Sequence, residues 1–435
     1  MHKLPLLRVQ RTRKVKPYLL LSPQQQPQSL GPPVLLLYCS SPVMAALDAS
    51  MAALAMGIDA SPYTVRIGIM GCASIAKKNA RAIIRSERCT LVAVASRSLD
   101  KALAFCDELK LKRSIASGSG DAASTDSYSH LLVDSNVDAV YIPLPTKLHK
   151  EWVLRAAAAG KHVLVEKPVG VNANEVQEMI AACRAAGVAF MDGTMFVHHR
   201  RFKQIDRLFA DTTWQPKRVT SAFTFAAPIE FLAGGNIRTN GMDPLGCLGD
   251  VGWYCIRFGM EAFKSKPAYV RARVWEATDS GVPTDMDCDV SFSRGDPERT
   301  VLSPRLLTFH CSFHHHLRQV VEATSSDGRI VRMDDFVIPR REEACEYVIE
   351  DVPERPQLSH YDTVVRGVKS TVPVLDCCQE VAMWDAFAAL VVQRDRSYYY
   401  DDAMLRAHQV MDALQESGAQ GGAWVEVNGG PWLED

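Results

Sequence analysis

The chain predicts an α/β protein. A doubly wound parallel sheet is expected at about residues 64–195, followed at 196–430 by an α+β domain with an open, largely antiparallel sheet. Three observations carry that expectation. Short apolar runs alternate with helical stretches from Thr64 to Met195, the pattern of βαβ units. A turn at Gly71 separates the first apolar run from the first helical stretch. Beyond Met195, strand-like runs follow one another with few helices between them, as an antiparallel sheet requires.

In chain order, Val65-Arg66-Ile67-Gly68-Ile69-Met70 reads as the first strand and Ile75 to Arg85 as the first helix. Leu91 to Ala95 and Leu99 to Leu109 make the second strand and helix. Asp138 to Ile142 is the third strand, and Lys150 to Ala159 a helix stopped at Gly160. His162 to Val165 is the fourth strand, Asn174 to Ala186 a helix stopped at Gly187, and Val188 to Met191 the fifth strand. The second part opens with helical residues near Phe202–Phe209 and a strand from Val219 to Ala226. A Gly-rich loop (Gly234-Gly235, Gly241, Gly246, Gly249) leads into a helix from Asp250. Strands are expected at Tyr269–Trp275, Asp287–Phe292, Leu306–Phe313, Gln319–Thr324 and Gly328–Met333. Turns are expected at Arg294-Gly295-Asp296-Pro297 and Ser325-Ser326-Asp327-Gly328. Val381–Leu390 and Ala403–Gln415 close the chain as helices, the second returning to the first domain.

Composition is that of a globular protein, 47% apolar and 23% charged over 435 residues. The formal net charge of −1 points to neither nucleic acid nor an acidic membrane surface. Residues 1–47 hold six Lys/Arg and no acid, leaving 43 basic against 50 acidic residues elsewhere. Residues 1–60 therefore read as a segment outside the fold. They are either an organelle transit peptide or the product of an upstream start codon, with Met44, Met51 or Met56 as the true start. The compartment follows from that choice: plastid or mitochondrion in the first case, cytoplasm in the second. Twelve scattered cysteines, with no C-x-x-C, read as reduced thiols. No apolar run reaches the roughly 18–20 residues of a membrane-spanning helix.

Gly71-Cys72-Ala73-Ser74-Ile75-Ala76 sits where a dinucleotide-binding turn places G-x-G-x-x-G/A. Gly71 and Ala76 fit, and Ala73 stands at the middle glycine. The pyrophosphate of a dinucleotide would rest on amide N–H groups at the helix start. Ser96-Arg97 closes the second strand, where an acid would grip the ribose 2′-OH of NAD. A hydroxyl and a guanidinium there suit the 2′-phosphate of NADP instead, so NADP is favoured over NAD. A solvated loop arginine is the plain alternative. Pro143-Leu144-Pro145-Thr146 forms a rigid loop after the third strand, and His149 beyond it either packs a helix start or serves the site.

Glu166-Lys167-Pro168 follows the apolar run His162–Val165. That places a lysine at the carboxyl edge of the sheet, where cofactors and substrates of open α/β folds bind. Asp250 and Tyr254 lie four apart and share a helix face, suited to holding two hydroxyls of a polyol. A nearby ammonium would pull the Tyr254 phenol down in pKa and fit it for proton transfer. An N-cap aspartate beside a packed tyrosine is the structural alternative. Phe196, Trp253 and Arg257 are candidates for an aromatic rim. Nothing beside His198-His199 or His310…His314-His315-His316 supplies a convincing Cys/Asp/Glu set, and on a strand His315 opposes His314 and His316, a poor chelating geometry unless ligands come from elsewhere, so no metal site is expected.

Together these residues resemble the Gfo/Idh/MocA family of NAD(P)-dependent oxidoreductases, in particular its branch of dimeric dihydrodiol and NADP-linked D-xylose dehydrogenases and the plant members of that branch. The likeness covers about residues 64–430. It rests on Val65–Ala76, Ala95-Ser96-Arg97, Tyr141-Ile142-Pro143-Leu144-Pro145-Thr146, Glu166-Lys167-Pro168, Met191-Asp192-Gly193-Thr194-Met195 and Gly249–Tyr254. It implies a Rossmann domain and a second domain whose sheet binds substrate and forms a homodimer interface. It also implies Lys167 at the catalytic centre before an often cis Pro168, Asp250 positioning substrate, and Tyr254 as acid/base. The enzyme so implied moves a hydride between NADP and a CH–OH carbon of a sugar, polyol or cyclic trans-diol. A non-catalytic NAD(P)-binding sensor is the alternative on the same fold. Glycosidic cleavage with tightly held NAD is disfavoured by Arg97.

Overall fold

The computed structural model describes residues 63–118, 126–292, 305–342, 344–351, 368–375, 378–392 and 398–428. The segment read as a leader, the turn at residues 294–297 and Cys39 and Cys377 lie outside them. All described residues belong to one compact unit.

The first sheet has six parallel strands in the order β3-β2-β1-β4-β5-β6: β1 Val65–Met70, β2 Cys89–Ser96, β3 Ala116–Gly118, β4 Ala139–Ile142, β5 His162–Val165 and β6 Phe190–Asp192. Helices α1 Ser74–Arg85, α2 Leu99–Glu108, α3 Asp126–Val133, α4 His149–Ala158 and α5 Ala173–Ala185 connect them. The order reverses between β1 and β4, and ligands of doubly wound sheets bind over the carboxyl ends at that reversal. Gly71 leaves β1 there and Pro143 leaves β4 there. Gly71 has φ +102°, and a Cβ on it would approach Leu144 Cδ2 to 3.0 Å. Glycine therefore serves both the left-handed turn and the close packing of the two loops.

The second sheet has nine strands in the order β14-β13-β12-β11-β7-β10-β9-β8-β15. They are β7 Pro216–Ala226, β8 Tyr269–Ala277, β9 Pro283–Ser291, β10 Leu306–Ser312, β11 His314–Ser325, β12 Ile330–Met333, β13 Ala344–Asp351, β14 Val368–Leu375 and β15 Val425–Glu426. Among the described pairings only β7 with β10 is parallel, so the sheet is largely antiparallel, as expected. Sequence reading passed over β3, α3 and the strands β13, β14 and β15. The first two are short, and β13 and β14 carry exposed polar residues where a buried strand would show an apolar run. α6 Arg200–Ala210 precedes β7. α7 Trp253–Phe263 packs against β7 and β10. The start expected at Asp250 is a wide helical turn over Leu248–Gly252, with the α-helix proper beginning at Trp253.

Two closing helices tie the sheets together. α8 Gln379–Val392 packs on α1, and α9 Tyr399–Ala419 packs on α5, α7 and β8. One continuous apolar cluster runs from β1 through α7 to α9. The ten described cysteines are all thiols. No helix among the described residues is long and apolar enough to cross a membrane.

Candidate active site

A cavity of about 860 Å³ opens above the strand reversal. The start of α1 (Ala73, Ser74, Ile75) and the loop Pro143–Thr146 form one side, Glu166 and Lys167 the floor, and Asp250, Tyr254 and Arg238 the far side. Phe223, Phe225 and Phe231 supply an aromatic wall.

Lys167 lies two residues beyond the end of β5 and is joined to Pro168 by a cis peptide bond. Its side chain is 11% exposed. The ammonium donates to the Asp250 main-chain oxygen at 2.7 Å and to Asp250 Oδ1 at 2.9 Å. Its third N–H has no protein partner among the described residues, and Lys167 faces the cavity. Asp250 is held from its other side by Arg238, whose Nε lies 2.7 Å from Oδ2. Burial pushes the Asp250 carboxyl up in pKa, but the charges of Lys167 and Arg238 outweigh it and hold the group at about 2. The aspartate is thus a fixed anion that fastens the lysine.

Tyr254 differs from expectation. The Lys167 ammonium lies over the face of its ring, 4.8 Å from the centroid, and the hydroxyl points toward Met195 Sδ at 3.7 Å. Burial, with the negative charges of Glu166 and Asp250, raises the phenol well above its ordinary value. The downward shift expected from a neighbouring ammonium is therefore overturned: desolvation and two carboxylates dominate.

Of the expected dinucleotide contacts, Ala73, Ser74, Ile75, Pro143, Leu144, Thr146, Glu166 and Lys167 line the cavity. Helix α1 carries no side-chain cap and no acid in its first turn, leaving the positive end of its dipole uncompensated by its own side chains. Gly71 and buried Ala76 shape the turn from beneath. Ser96 is buried, its hydroxyl accepting from the Ser98 N–H at 3.3 Å, and Arg97 is exposed beside it. Tyr128, near Arg97, lies 3.6 Å by its hydroxyl from where a Gly71 Cβ would sit. Ser96, Arg97 and Tyr128 do not line the cavity.

His149 does not reach the cavity. Its ring is buried, with Nε2 2.7 Å from the Leu144 oxygen and Nδ1 3.0 and 3.1 Å from those of Pro168 and Val169. It clamps the Pro143–Thr146 loop to the Pro168 segment. From the other side His408 Nε2 accepts from the N–H groups of Val169 (3.1 Å) and Gly170 (3.3 Å). Phe196, Trp253 and Arg257 do not form the rim either. Phe196 packs against Phe202 and Phe336 in the core. Trp253 Nε1 donates to Thr194 Oγ1 at 2.7 Å. Arg257 pairs with Asp192 at 3.1 Å, and Thr194 donates to the same carboxylate. Asp192 and Thr194 thus anchor α7, while Gly193 between them lines the cavity.

Sequence reasoning missed Arg238, Asp243 and a buried relay. Asp243 Oδ1 accepts from the Thr146 N–H at 2.6 Å, pinning the Gly-rich loop over the cavity. Trp384 Nε1 donates to Asn79 Oδ1 at 2.9 Å, Asn79 Nδ2 donates to the Tyr141 hydroxyl at 2.7 Å, and Tyr141 donates to Glu166. Burial pushes the Glu166 carboxyl up, against the Tyr141 hydrogen bond and the Lys167 charge. Tyr141 and Glu166 lie in motifs the sequence shows, but their link to Asn79 and Trp384, and the contacts of Arg238 and Asp243 from the Gly-rich loop, join separate elements.

Residues 65–194 match the Gfo/Idh/MocA oxidoreductase model, described as an NAD-binding Rossmann fold. The chain is 29% identical to an NADP⁺-dependent D-xylose 1-dehydrogenase of Haloferax volcanii, over 83% of this chain and 99% of that one. It is 31% identical to trans-1,2-dihydrobenzene-1,2-diol dehydrogenase of Sus scrofa, over 60% and 70%. Three further relatives are matched over 53–59% of their own length. A solved 3-ketoreductase from Actinomadura kijaniata, in complex with NADP and TDP-benzene, superposes with a TM-score of 0.66 at 25% identity, covering 81% of this chain and 98% of that one.

Proposed function

The chain belongs to the Gfo/Idh/MocA family of NAD(P)-dependent oxidoreductases, and we propose that it is an NADP-dependent dehydrogenase acting on a CH–OH carbon of a sugar, polyol or cyclic trans-diol. The observation that carries this reading is the Lys167 ammonium, fastened by Asp250 and directed into a cavity between the first dinucleotide-binding turn and an aromatic wall. The residues present fit a dinucleotide. Ala73, Ser74 and Ile75 line the cavity at the start of α1, and that helix begins without a side-chain cap. N–H groups at the start of α1 would hold the pyrophosphate, Pro143–Thr146 the nicotinamide end, and Arg97 with Ser96 the 2′-phosphate. When bound, the nicotinamide supplies or accepts the hydride.

The chain's own residues do the rest. Asp250 takes two N–H groups of Lys167, leaving the third for the reacting oxygen, where a fixed positive charge stabilises developing alkoxide character. Tyr254 keeps its proton at neutral pH, so in the direction of carbonyl reduction it delivers that proton to the oxygen. The Lys167 charge over its ring then stabilises the phenolate that results. Phe223, Phe225 and Phe231 present an apolar surface to the C–H face of a ring, while Arg238 and Asn236 offer polar contacts to hydroxyls.

The reading is tested by NADPH fluorescence on binding, followed by turnover across aldoses, polyols, trans-dihydrodiols and their carbonyl forms. The expected outcome is binding and turnover in the natural chain, and binding without turnover in Lys167→Ala. Binding with no turnover on any of these compounds would instead assign a nucleotide sensor.

A further inference from the structure

We propose that Asp285, His310 and His315 form a site for a divalent transition-metal ion of the zinc class on the outer face of the nine-stranded sheet. His310 Nε2 lies 2.8 Å from Asp285 Oδ1, and His315 Nε2 lies 3.1 Å from Asp285 Oδ2. The three ligand atoms all fall within 4.8 Å of one another, and the two imidazole centroids are 5.0 Å apart. In a tetrahedral site with bonds of about 2.1 Å, ligand atoms stand about 3.4 Å apart. Small side-chain rotations therefore convert this trio into a chelate without moving the strands.

The trio comes from three strands and could not be read from one. Asp285 lies on β9 and His310 on β10, two residues from the position paired with Asp285. His315 lies in a bulge: His314 pairs with Ala226 and Arg318 with Thr224, so four steps of β11 span two of β7. A bulge re-aims side chains that a regular strand would send to the opposite face. His314 is engaged elsewhere, its Nε2 2.9 Å from Thr284 Oγ1. The sequence argument took the histidines on a regular strand as a poor chelate unless ligands come from elsewhere; here the strand is bulged and the carboxylate comes from β9.

Burial grades across the site. The Asp285 side chain is 10% exposed, that of His310 26% and that of His315 54%. The carboxylate and His310 are the more buried ligands, and His315 is the one most open to solvent. Two imidazoles and one carboxylate suit zinc, cobalt or nickel over magnesium or calcium, which prefer all-oxygen shells. The other grouping of potential ligands, Glu342, Cys378 and Glu380, already has its charge met: Arg85 lies 3.0 Å from Glu342 and Lys78 2.7 Å from Glu380. None of the proposed ligands lines the cofactor cavity, so the site is separate from the chemistry at Lys167.

The probe is Co²⁺ added to the chelator-treated full chain, followed by visible spectroscopy and metal analysis after desalting. One equivalent per chain is expected, with ligand-field bands of nitrogen and oxygen coordination and displacement by Zn²⁺. His315→Ala and Asp285→Asn should each weaken binding at least about tenfold, since loss of one of three protein ligands removes much of the chelate. His316→Ala, one residue away, should leave it unchanged. His315 is more than half exposed, so its variant keeps the fold even if His310→Asn does not. Equal affinity in the natural chain and His315→Ala, no retained metal, or a thiolate charge-transfer band marking Cys378 would each overturn the proposal; the trio would then be a hydrogen-bonded His–Asp–His cluster.

Discussion

Lys167 faces the ring of Tyr254 rather than its hydroxyl, with 4.8 Å between the ammonium nitrogen and the ring centroid. The ammonium is thereby shared between a carboxylate that fixes it and a phenol whose conjugate base it can stabilise.

Replacing Lys167 by Ala or Met removes the cation that the proposed function places at the reacting oxygen. A loss of about 10²–10⁴ in kcat is expected, the range for a preorganised charge or acid/base group. Affinity for NADPH should change by only a few-fold, because the pyrophosphate contacts lie on α1. Single-turnover kinetics beside fluorescence titration separate the two effects. Equal losses in binding and turnover would show that Lys167 holds the cofactor instead.

Tyr254 stays protonated through the physiological range because burial and two carboxylates raise its pKa. In the reductive direction kcat/KM should be flat between about pH 6 and pH 9, and in the oxidative direction it should rise about tenfold per pH unit. Tyr254→Phe should lower both by at least about 10² with little change in stability, since among the described residues the hydroxyl hydrogen-bonds only Met195 Sδ. A break near neutrality in the reductive profile that disappears in the Phe variant would contradict this assignment.

Asp250 titrates at about 2 in the folded chain against an ordinary 3.8. A depressed carboxylate contributes stability that is complete above the unfolded pKa and is lost as pH falls toward the folded one. The difference corresponds to about 2 kcal/mol at neutral pH. Arg238→Met removes one of the two cations holding it down. The variant should be about 1 kcal/mol less stable in urea at pH 7, and its deficit should shrink between pH 4.5 and pH 3. A deficit independent of pH would mean that Arg238 acts through packing alone.

His408 is neutral in the fold: burial and the neighbouring His149 lower it to about 3. The unfolded imidazole protonates near 6.5, so the unfolded state binds more protons below that value and stability falls as pH drops. From pH 7 to pH 5 this group alone costs about 2 kcal/mol. His408→Gln, which can still accept from the Val169 and Gly170 N–H groups, should flatten that slope by close to one proton. Urea unfolding at four pH values measures it, and an unchanged slope would dismiss His408 as its source.

Arg97 stands exposed at the end of β2 beside Ser96. Arg97→Glu should reverse the cofactor preference, lowering kcat/KM with NADP by about 10–10³ through lost charge-assisted hydrogen bonds and added repulsion, with far less change for NAD. Comparable losses with both would remove Arg97 from the 2′-phosphate.

Much of this molecule is legible in the chain because its causes are local. Continuous apolar runs mark β1, β4 and β5, and a 3.6-residue apolar pattern marks α1. Gly71 marks the turn that needs a left-handed residue, and Lys167 stands out as a cation directly after an apolar strand. What the chain does not reveal depends on which groups meet across the fold. Asp250 reaches Lys167 over 83 residues, and Trp384 reaches Asn79 over 305. Arg238 looks like any loop arginine until it closes on Asp250, and Asp285 like any strand acid until a bulge swings His315 above it. The Tyr254 shift was misjudged for the same reason. An electrostatic effect takes its sign from distance, orientation and desolvation, and composition along a chain encodes none of the three.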